Sequence, residues 1–293
     1  MNFVSQIPEK ERTFYKLLSL WYLNNVKNQL NPNTCRSYLL AIKHAKMYCS
    51  NIFVSKIEEE FLQTGLNNLA FSGLAKSTIH TIRLVMNNAV LYAVRIKWLQ
   101  SPPLMKLYIP KIAPTKQVNA LTKEDQKAVE AFCSNPENSH YGYVTLFLLN
   151  TGLRSSELYN LKWSDFKDTD NPCIEIRKSK TENGVRCVPL NTTALNIIRN
   201  LPRINEYVFL TINGTRLGLT QMKRHNKLIR DKLGIEDFHN HICRHSFATR
   251  ALERGMNVNA LSKIMGHASV AFTMQRYTTI FEDYLFKQMK LME

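Results

Sequence analysis

Helical periodicity fills the first hundred residues of this chain. Apolar residues recur there at spacings of three and four, which is typical of helices that bury one face. The pattern predicts four helices, at about residues 9–30, 34–48, 55–70 and 77–98. Pro102 and Pro103 end the fourth, because proline removes a backbone donor and restricts the residue before it. We therefore predict an N-terminal helical domain at residues 1–100.

A stretch containing several prolines and lysines follows at residues 101–119 and shows little helical periodicity. Such a composition favours an extended basic linker. A second domain then begins near residue 120. Thr122 is placed there to cap a helix, with Asp125 as its capping-box partner.

The second domain combines helices with a small amount of strand. Residues 142–149 form an apolar run that predicts a buried helix. Two strand-like runs, 173–178 and 185–190, flank a segment that ends in Asn183-Gly184, and Asn-Gly is a strong hairpin signal. The remainder is mostly helical. We predict a mainly α fold with a small β-sheet and assign residues 120–293 to this domain.

The net charge indicates a polyanionic partner. The chain carries 39 Lys and Arg against 23 Asp and Glu, a formal net charge of +16. Residues 1–118 hold 15 of the basic residues and only 5 of the acidic ones. Nucleic acid is the first candidate partner and an acidic membrane surface the second. A basic surface without a dedicated partner is the plainer alternative.

The cysteines and the apolar segments of the chain indicate the cellular compartment. The six cysteines are scattered and include no Cys-x-x-Cys pair. The first residues lack the basic and apolar regions of a signal peptide, and no apolar run approaches the ~20 residues of a membrane span. We expect free thiols in a reducing cytoplasmic setting, with no membrane partner.

Six residues in the second half of the chain have the chemistry of a phosphodiester-cutting site: Arg154, Lys180, His241, Arg244, His267 and Tyr277. They offer cations, imidazoles and a phenol, without a pair of carboxylates to hold a metal. Guanidinium groups stay charged and bind phosphate oxygens in a bidentate manner, which stabilises developing negative charge. A phenol with a pKa near ~10 becomes a nucleophile once its proton is removed and cations stabilise the phenolate. We expect no cofactor and no metal.

Two of the cationic candidates have simpler alternatives. Arg154 could form only a surface salt bridge with Glu157, one helical turn away. Lys178 lies near Lys180 on the same predicted hairpin, and hairpin lysines are usually only solvated. The Ser-Lys-Thr context favours Lys180.

The histidines and tyrosines have alternatives as well. His239, His241 and His245 could be taken as a metal cluster, but no cysteine or carboxylate is spaced to complete a tetrahedral set. His267 follows an apolar run and a glycine, a setting in which a histidine is often structural. Tyr284 is expected to pack with apolar residues of the tail.

The catalytic half resembles the tyrosine recombinase family, which includes phage integrases, Xer-type resolvases and transposon integrases. The resemblance lies in five segments in the family's order: 151–158, 179–181 with 188–190, 241–249, 264–267 and Tyr277. It implies a SAM-like α-helical core-binding domain followed by a mixed α/β catalytic domain. His267 and Tyr277 are ten residues apart, whereas many members show nine, which weakens a specific Xer assignment.

The resemblance also implies roles for the six residues. Arg154 and Arg244 would hold the scissile phosphate, with His241 handling protons and His267 donating a hydrogen bond. Lys180 would protonate the departing 5′ oxygen. Tyr277 would attack the phosphate and form a 3′-phosphotyrosyl bond, in a reaction that needs neither metal nor ATP.

Partners follow from the same resemblance. It implies double-stranded DNA target sites, accessory DNA-bending proteins and a homo-tetramer on DNA. A tail helix from about residue 278 would dock on a neighbouring subunit, although docking within the same chain is equally open. A type IB topoisomerase and an inactive DNA-binding regulator on the same fold are the rival functions. The sequence leaves open the target site and the choice among integration, excision, resolution and inversion.

Overall fold

The computed structural model describes residues 7–49, 52–102, 106–115, 119–177, 185–267, 269–271, 274 and 289. The chain divides into two compact units, Met1–Gln117 and Val118–Glu293. Each unit has an apolar core of its own. The boundary between the units falls inside the stretch that the sequence assigns to a linker.

The described residues of the first unit form four α-helices: α1 (Phe14–Asn25), α2 (Pro32–Cys49), α3 (Glu59–Phe71) and α4 (Lys76–Arg95). Short 3-10 turns at Glu9–Glu11 and Val54–Lys56 precede α1 and α3. The first helix is therefore shorter than its predicted span of 9–30. Thr13 caps its start by accepting a hydrogen bond from the backbone of Lys16, and the chain has already left the helix at Asn28, which has a φ of 70°.

The core of the first unit is formed where the apolar faces of these helices meet. Its largest fully buried side chains are those of Phe14, Leu17, Leu18, Leu62, Leu66, Leu69, Ile79, Ile82 and Met86. Residues 106–115 also belong to this unit. The carbonyl of Leu107 accepts a hydrogen bond from Arg83, and that of Pro114 accepts one from the backbone of Lys76. This part of the predicted linker is thus held against α4.

The second unit contains seven described α-helices and a small sheet. The helices are α5 (Lys123–Ser134), α6 (Gly142–Thr151), α7 (Ser155–Tyr159), α8 (Thr192–Arg199), α9 (Leu219–Leu233), α10 (Asn240–Glu253) and α11 (Val258–Met265). The strands β1 (Phe166–Lys167), β2 (Cys173–Ile176) and β3 (Arg186–Pro189) pair antiparallel in the order β1-β2-β3. The mainly α fold class with a small sheet is confirmed. The predicted hairpin turn lies within residues 178–184, outside the described residues.

Helices α6 and α10 form the centre of the second unit. Helix α6 is apolar on nearly all sides, as the run at 142–149 predicts, and Phe147 is fully buried. On α10, Ser246 accepts a hydrogen bond from the backbone of Leu121 and Arg250 donates one to the carbonyl of the same residue. These bonds tie the start of the unit to α10. Thr122 then caps α5 by accepting from the backbone of Asp125, as predicted.

The expectation of free thiols is wrong for one pair of cysteines. Cys173 and Cys187 lie diagonally opposite on β2 and β3 and form a disulfide. Cys133 and Cys243 are free and buried, and burial raises the pKa of Cys133 to about 12. None of the described helices is long and apolar enough to cross a membrane.

A buried histidine on α9 makes folding sensitive to acid. The Nδ1 of His225 lies 2.6 Å from the hydroxyl of Ser139, and its Nε2 lies 2.8 Å from the hydroxyl of Thr145. Burial lowers the pKa of His225 from 6.5 to about 4. Between these values the unfolded chain takes up a proton that the folded chain does not, so stability is present above pH 6.5 and falls as the pH drops towards 4.

We expect His225→Gln to reduce this loss of stability. Between pH 7.5 and pH 5.0 the titration of His225 should lower the free energy of unfolding by about 2 kcal/mol, and glutamine does not titrate. Urea unfolding at the two pH values measures the difference. His140→Gln, at an exposed histidine, is the matched control and should keep the wild-type dependence. An unchanged pH dependence in His225→Gln would contradict the assignment.

Candidate active site

Arg154 lies at the N-terminus of α7 and is held from two sides. Its Nη1 donates to Glu157 Oε1 at 2.7 Å, and its backbone N–H donates to Glu157 Oε2 at 2.8 Å. Its Nη2 donates to the carbonyl of Gly266 at 2.6 Å. The side chain is 33% exposed, so an incoming group can reach it. The salt bridge between Arg154 and Glu157, which was the alternative to a site role for Arg154, is present. It is accompanied by the hydrogen bond from Arg154 to the carbonyl of Gly266.

Arg244 lies on α10 and is buried. Its Nη1 donates to the carbonyl of Gly152 at 2.6 Å, and its Nη2 donates to the carbonyl of Met265. A buried arginine needs such partners, because an uncompensated charge in the interior is costly. The two carbonyls fix the plane of the guanidinium group.

Two glycines supply the turns on which these arginines depend. Gly152 ends α6 with a φ of 63°, and Gly266 ends α11 with a φ of 62°, a left-handed conformation that favours glycine. A Cβ on Gly152 would collide with the ring of Phe247, and one on Gly266 would lie 3.0 Å from Arg186. The glycines in the Thr-Gly-Leu-Arg and Gly-His segments are therefore required by backbone conformation and by close packing.

The two candidate histidines have different surroundings. His267 directly follows the Gly266 turn, is half-buried, and donates its backbone N–H to the carbonyl of Ser262 at 3.1 Å. His241 lies in the first turn of α10, three residues before Arg244, with an exposed side chain. The ring of His241 and the ring of buried His245 meet edge to face, with their centroids 4.6 Å apart. His245 thus supports the ring of His241.

Arg186 is a residue of this site that the sequence analysis did not single out. It lies on β3, its side chain is only 6% exposed, and it forms two hydrogen bonds with the carboxylate of Glu157, at 2.9 and 3.0 Å. Its Nε donates to the carbonyl of Ile264 at 2.6 Å. Side chains alternate along a strand, so Arg186 lies on the same face of β3 as buried Val188. An arginine on the buried face of a strand indicates that it has a buried partner, and this pattern is the sequence signal for Arg186.

Glu157 is ionised in this setting. Burial alone would raise the pKa of its carboxyl group, but hydrogen bonds and charge from Arg186, together with hydrogen bonds from Arg154, outweigh burial. The resulting pKa lies below the ordinary value. One carboxylate therefore faces two guanidinium groups, and the cluster keeps a net positive charge.

The structure brings together Arg154, Arg244 and His267 around the Gly266 turn, with His241 on the same helix as Arg244. Lys180, its rival Lys178 and Tyr277 lie outside the described residues. Over the part of the chain that the structure describes, no group of three or more His, Cys, Asp or Glu side chains could hold a metal ion. Chemically, the described arrangement offers fixed guanidinium groups and imidazoles to a phosphate.

A model of the phage integrase family matches residues 115–283, more than half of the chain. The chain belongs to this family. As a member of the phage integrase family it is a DNA recombinase, a strand transferase of the tyrosine recombinase group. The family assignment made from the five sequence segments is confirmed.

Curated relatives and solved structures agree with this assignment. The chain is 24% identical to a XerC-like tyrosine recombinase of Caldanaerobacter subterraneus, over 92% of this chain and 79% of the relative. It is 32% identical to the tyrosine recombinase XerA of Thermococcus kodakarensis, over 62% of this chain and 65% of the relative. Its fold is similar to that of the Tn1549 transposon integrase in complex with a circular intermediate DNA, with a TM-score of 0.76, 18% identity, and coverage of 91% and 95% of the two chains.

Proposed function

We propose that this integrase-family chain is a site-specific recombinase that cuts and rejoins DNA through Tyr277. The phenolate of Tyr277 attacks a DNA phosphate, a 3′-phosphotyrosyl bond forms, and the 5′ oxygen leaves as a hydroxyl. That hydroxyl then attacks the phosphotyrosyl bond on a partner duplex and releases the tyrosine. The bond energy is conserved at each step, so the reaction requires no ATP.

The observation that carries the proposal is the joint anchoring of Arg154 and Arg244. They donate to the carbonyls of two consecutive residues, Gly266 and Met265, so one turn fixes both guanidinium groups. Negative charge grows on the non-bridging oxygens when a phosphate is attacked. Cations fixed in advance stabilise that charge without reorganisation, and losing one such donor typically costs about 3–4 kcal/mol. Two guanidinium groups supply the charge that a metal ion supplies in other enzymes, and we propose a metal-independent reaction.

The remaining candidates complete the proton transfers and the contacts with the phosphate. His267 follows the same turn and donates a hydrogen bond to the scissile phosphate, and His241 handles a proton from its exposed position. Lys180, on the connection between β2 and β3, protonates the leaving 5′ oxygen. These roles are carried over from the family's motif to the matching residues of this chain.

The first unit is proposed to bind the DNA backbone. Residues 1–118 carry 15 basic residues against 5 acidic ones, and Lys and Arg side chains bind phosphates irrespective of base sequence. We propose that the first unit acts as a core-binding domain and the second unit as a catalytic domain. We further propose a homo-tetramer on DNA, joined by the tail from about residue 278 and assisted by DNA-bending proteins. The proposed compartment is the cytoplasm, with association to the nucleoid in a prokaryotic host.

A recombination assay tests the proposed function. DNA trapped covalently on the chain in cells is sequenced to identify the target site, and two direct copies are cloned into one plasmid. The purified chain, in EDTA and without ATP, is expected to delete the intervening segment. A plasmid with a single copy is the control and should keep its length. Relaxation of both plasmids without deletion would indicate topoisomerase activity and contradict the proposal, as would a product that requires added metal or ATP.

A further inference from the structure

We infer that Arg186 is a positioning residue for DNA cleavage that aligns Arg154 and preserves its positive charge for the phosphate. The inference rests on the proposed function, because it assigns Arg186 to the same reaction. The guanidinium group of Arg186 is buried and forms two hydrogen bonds with the carboxylate of Glu157, so we assign it a role through other residues. Two independent features of its surroundings support the role.

The first feature is a row of three carbonyls at the end of α11. The carbonyls of residues 264, 265 and 266 accept hydrogen bonds from Arg186, Arg244 and Arg154, in that order. The last carbonyls of a helix have no partners within the helix and carry partial negative charge, which suits guanidinium donors. Three arginines from β3, α10 and the start of α7 therefore bind consecutive carbonyls of one turn. Arg186 and Arg244 are the buried members of this row, and Arg154 is the most exposed.

The second feature is the charge of the cluster. The Oε1 of Glu157 accepts from both Arg154 and Arg186, and its Oε2 accepts from Arg186 and from the backbone of Arg154. Without Arg186, the buried carboxylate would have one guanidinium partner, Arg154, and would neutralise it. With Arg186 present, the carboxylate is balanced by a residue that does not face the substrate. Arg154 then keeps a charge that can stabilise the phosphate.

Gly266 allows the side chain of Arg186 to lie close to the turn that holds Arg154. A Cβ at this position would lie 3.0 Å from Cδ and Nη1 of Arg186 and 3.1 Å from its Cζ. The side chain of Arg186 therefore packs directly on the turn whose carbonyl holds Arg154.

The test compares Arg186→Met, Arg186→Lys and Arg177→Met on a nicked DNA carrying the target site. Arg177 lies just after β2, is exposed, and serves as the matched control. We expect Arg186→Met to slow single-turnover cleavage about 100-fold, because small misplacements of catalytic groups cost that much. Its DNA affinity should stay within about threefold of wild type, since Arg186 does not reach the DNA. Arg186→Lys should recover part of the rate, and Arg177→Met should cleave as wild type.

A second variant distinguishes positioning from a purely structural role. In Arg186→Met the uncompensated charge of Glu157 neutralises Arg154, so adding Glu157→Gln should raise the cleavage rate about tenfold above that of Arg186→Met alone. A double variant no faster than Arg186→Met overturns the inference, as does wild-type cleavage by Arg186→Met. Wild-type protein that forms no covalent adduct would instead refute the proposed function. Thermal unfolding of each variant confirms that the rates refer to folded protein.

Discussion

Arg244→Ala is expected to slow DNA cleavage by about 100- to 1,000-fold. The guanidinium group of Arg244 is fixed by the carbonyls of Gly152 and Met265, and alanine removes both the cation and the partner of these carbonyls. The transition state then lacks one of the two fixed cations that we propose for it. The rate of covalent adduct formation in a single turnover, at saturating protein, measures the effect on chemistry separately from the effect on binding.

Two companion variants show which property of Arg244 matters. Arg244→Lys keeps the charge but cannot bind two carbonyls in one plane, and it should remain at least about tenfold slower than wild type. Arg254→Ala removes an exposed arginine just beyond the end of α10 and is the matched control. If Arg244→Ala cleaves DNA within about threefold of wild type, fixed guanidinium groups are not the source of catalysis.

Tyr277→Phe is expected to abolish covalent attachment to DNA and to leave DNA affinity within about threefold of wild type. The substitution removes one oxygen, the proposed nucleophile, so no phosphotyrosyl bond can form at position 277. A denaturing gel after incubation with a nicked target site detects the adduct. A filter-binding titration with the intact site measures affinity.

Tyr284→Phe is the matched control for this prediction, because Tyr284 lies seven residues further along the chain and is expected to pack with apolar residues. It should form the adduct at the wild-type rate. An adduct of undiminished yield in Tyr277→Phe would remove Tyr277 from the mechanism. Loss of the adduct in both variants would point to a general effect on the tail rather than to the nucleophile.

Much of the helical architecture can be predicted from the sequence, because apolar spacing records which face of a helix is buried. The ends are less predictable, since they depend on single backbone conformations and on tertiary contacts. The first helix is shorter than its apolar pattern because the chain forms a 3-10 turn at 9–11 and has a positive φ at Asn28. Likewise, no local pattern indicates that Leu107 and Pro114 accept hydrogen bonds from α4.

In the candidate site too, local motifs predict some residues, whereas others depend on contacts between distant parts of the chain. The sequence motifs predict Arg154 and Arg244 as site residues, and both donate hydrogen bonds to the carbonyls of one turn. Arg186 lay in a strand pattern with no motif of its own, and its role depends on Glu157, which is 29 residues earlier in the chain. Long-range pairing of this kind leaves little trace in a single sequence. The Cys173–Cys187 disulfide was missed for the same reason, because it depends on the register of β2 and β3.

Identifying the amino acid that carries the DNA shows whether Tyr277 is the nucleophile. The covalent complex formed with a nicked target site is digested with protease and nuclease, and the modified peptide is sequenced by mass spectrometry. We predict a nucleotide joined through its 3′ phosphate to the phenolic oxygen of Tyr277. A nucleotide on Tyr284 or on any other residue, or one joined through a 5′ phosphate, would contradict it.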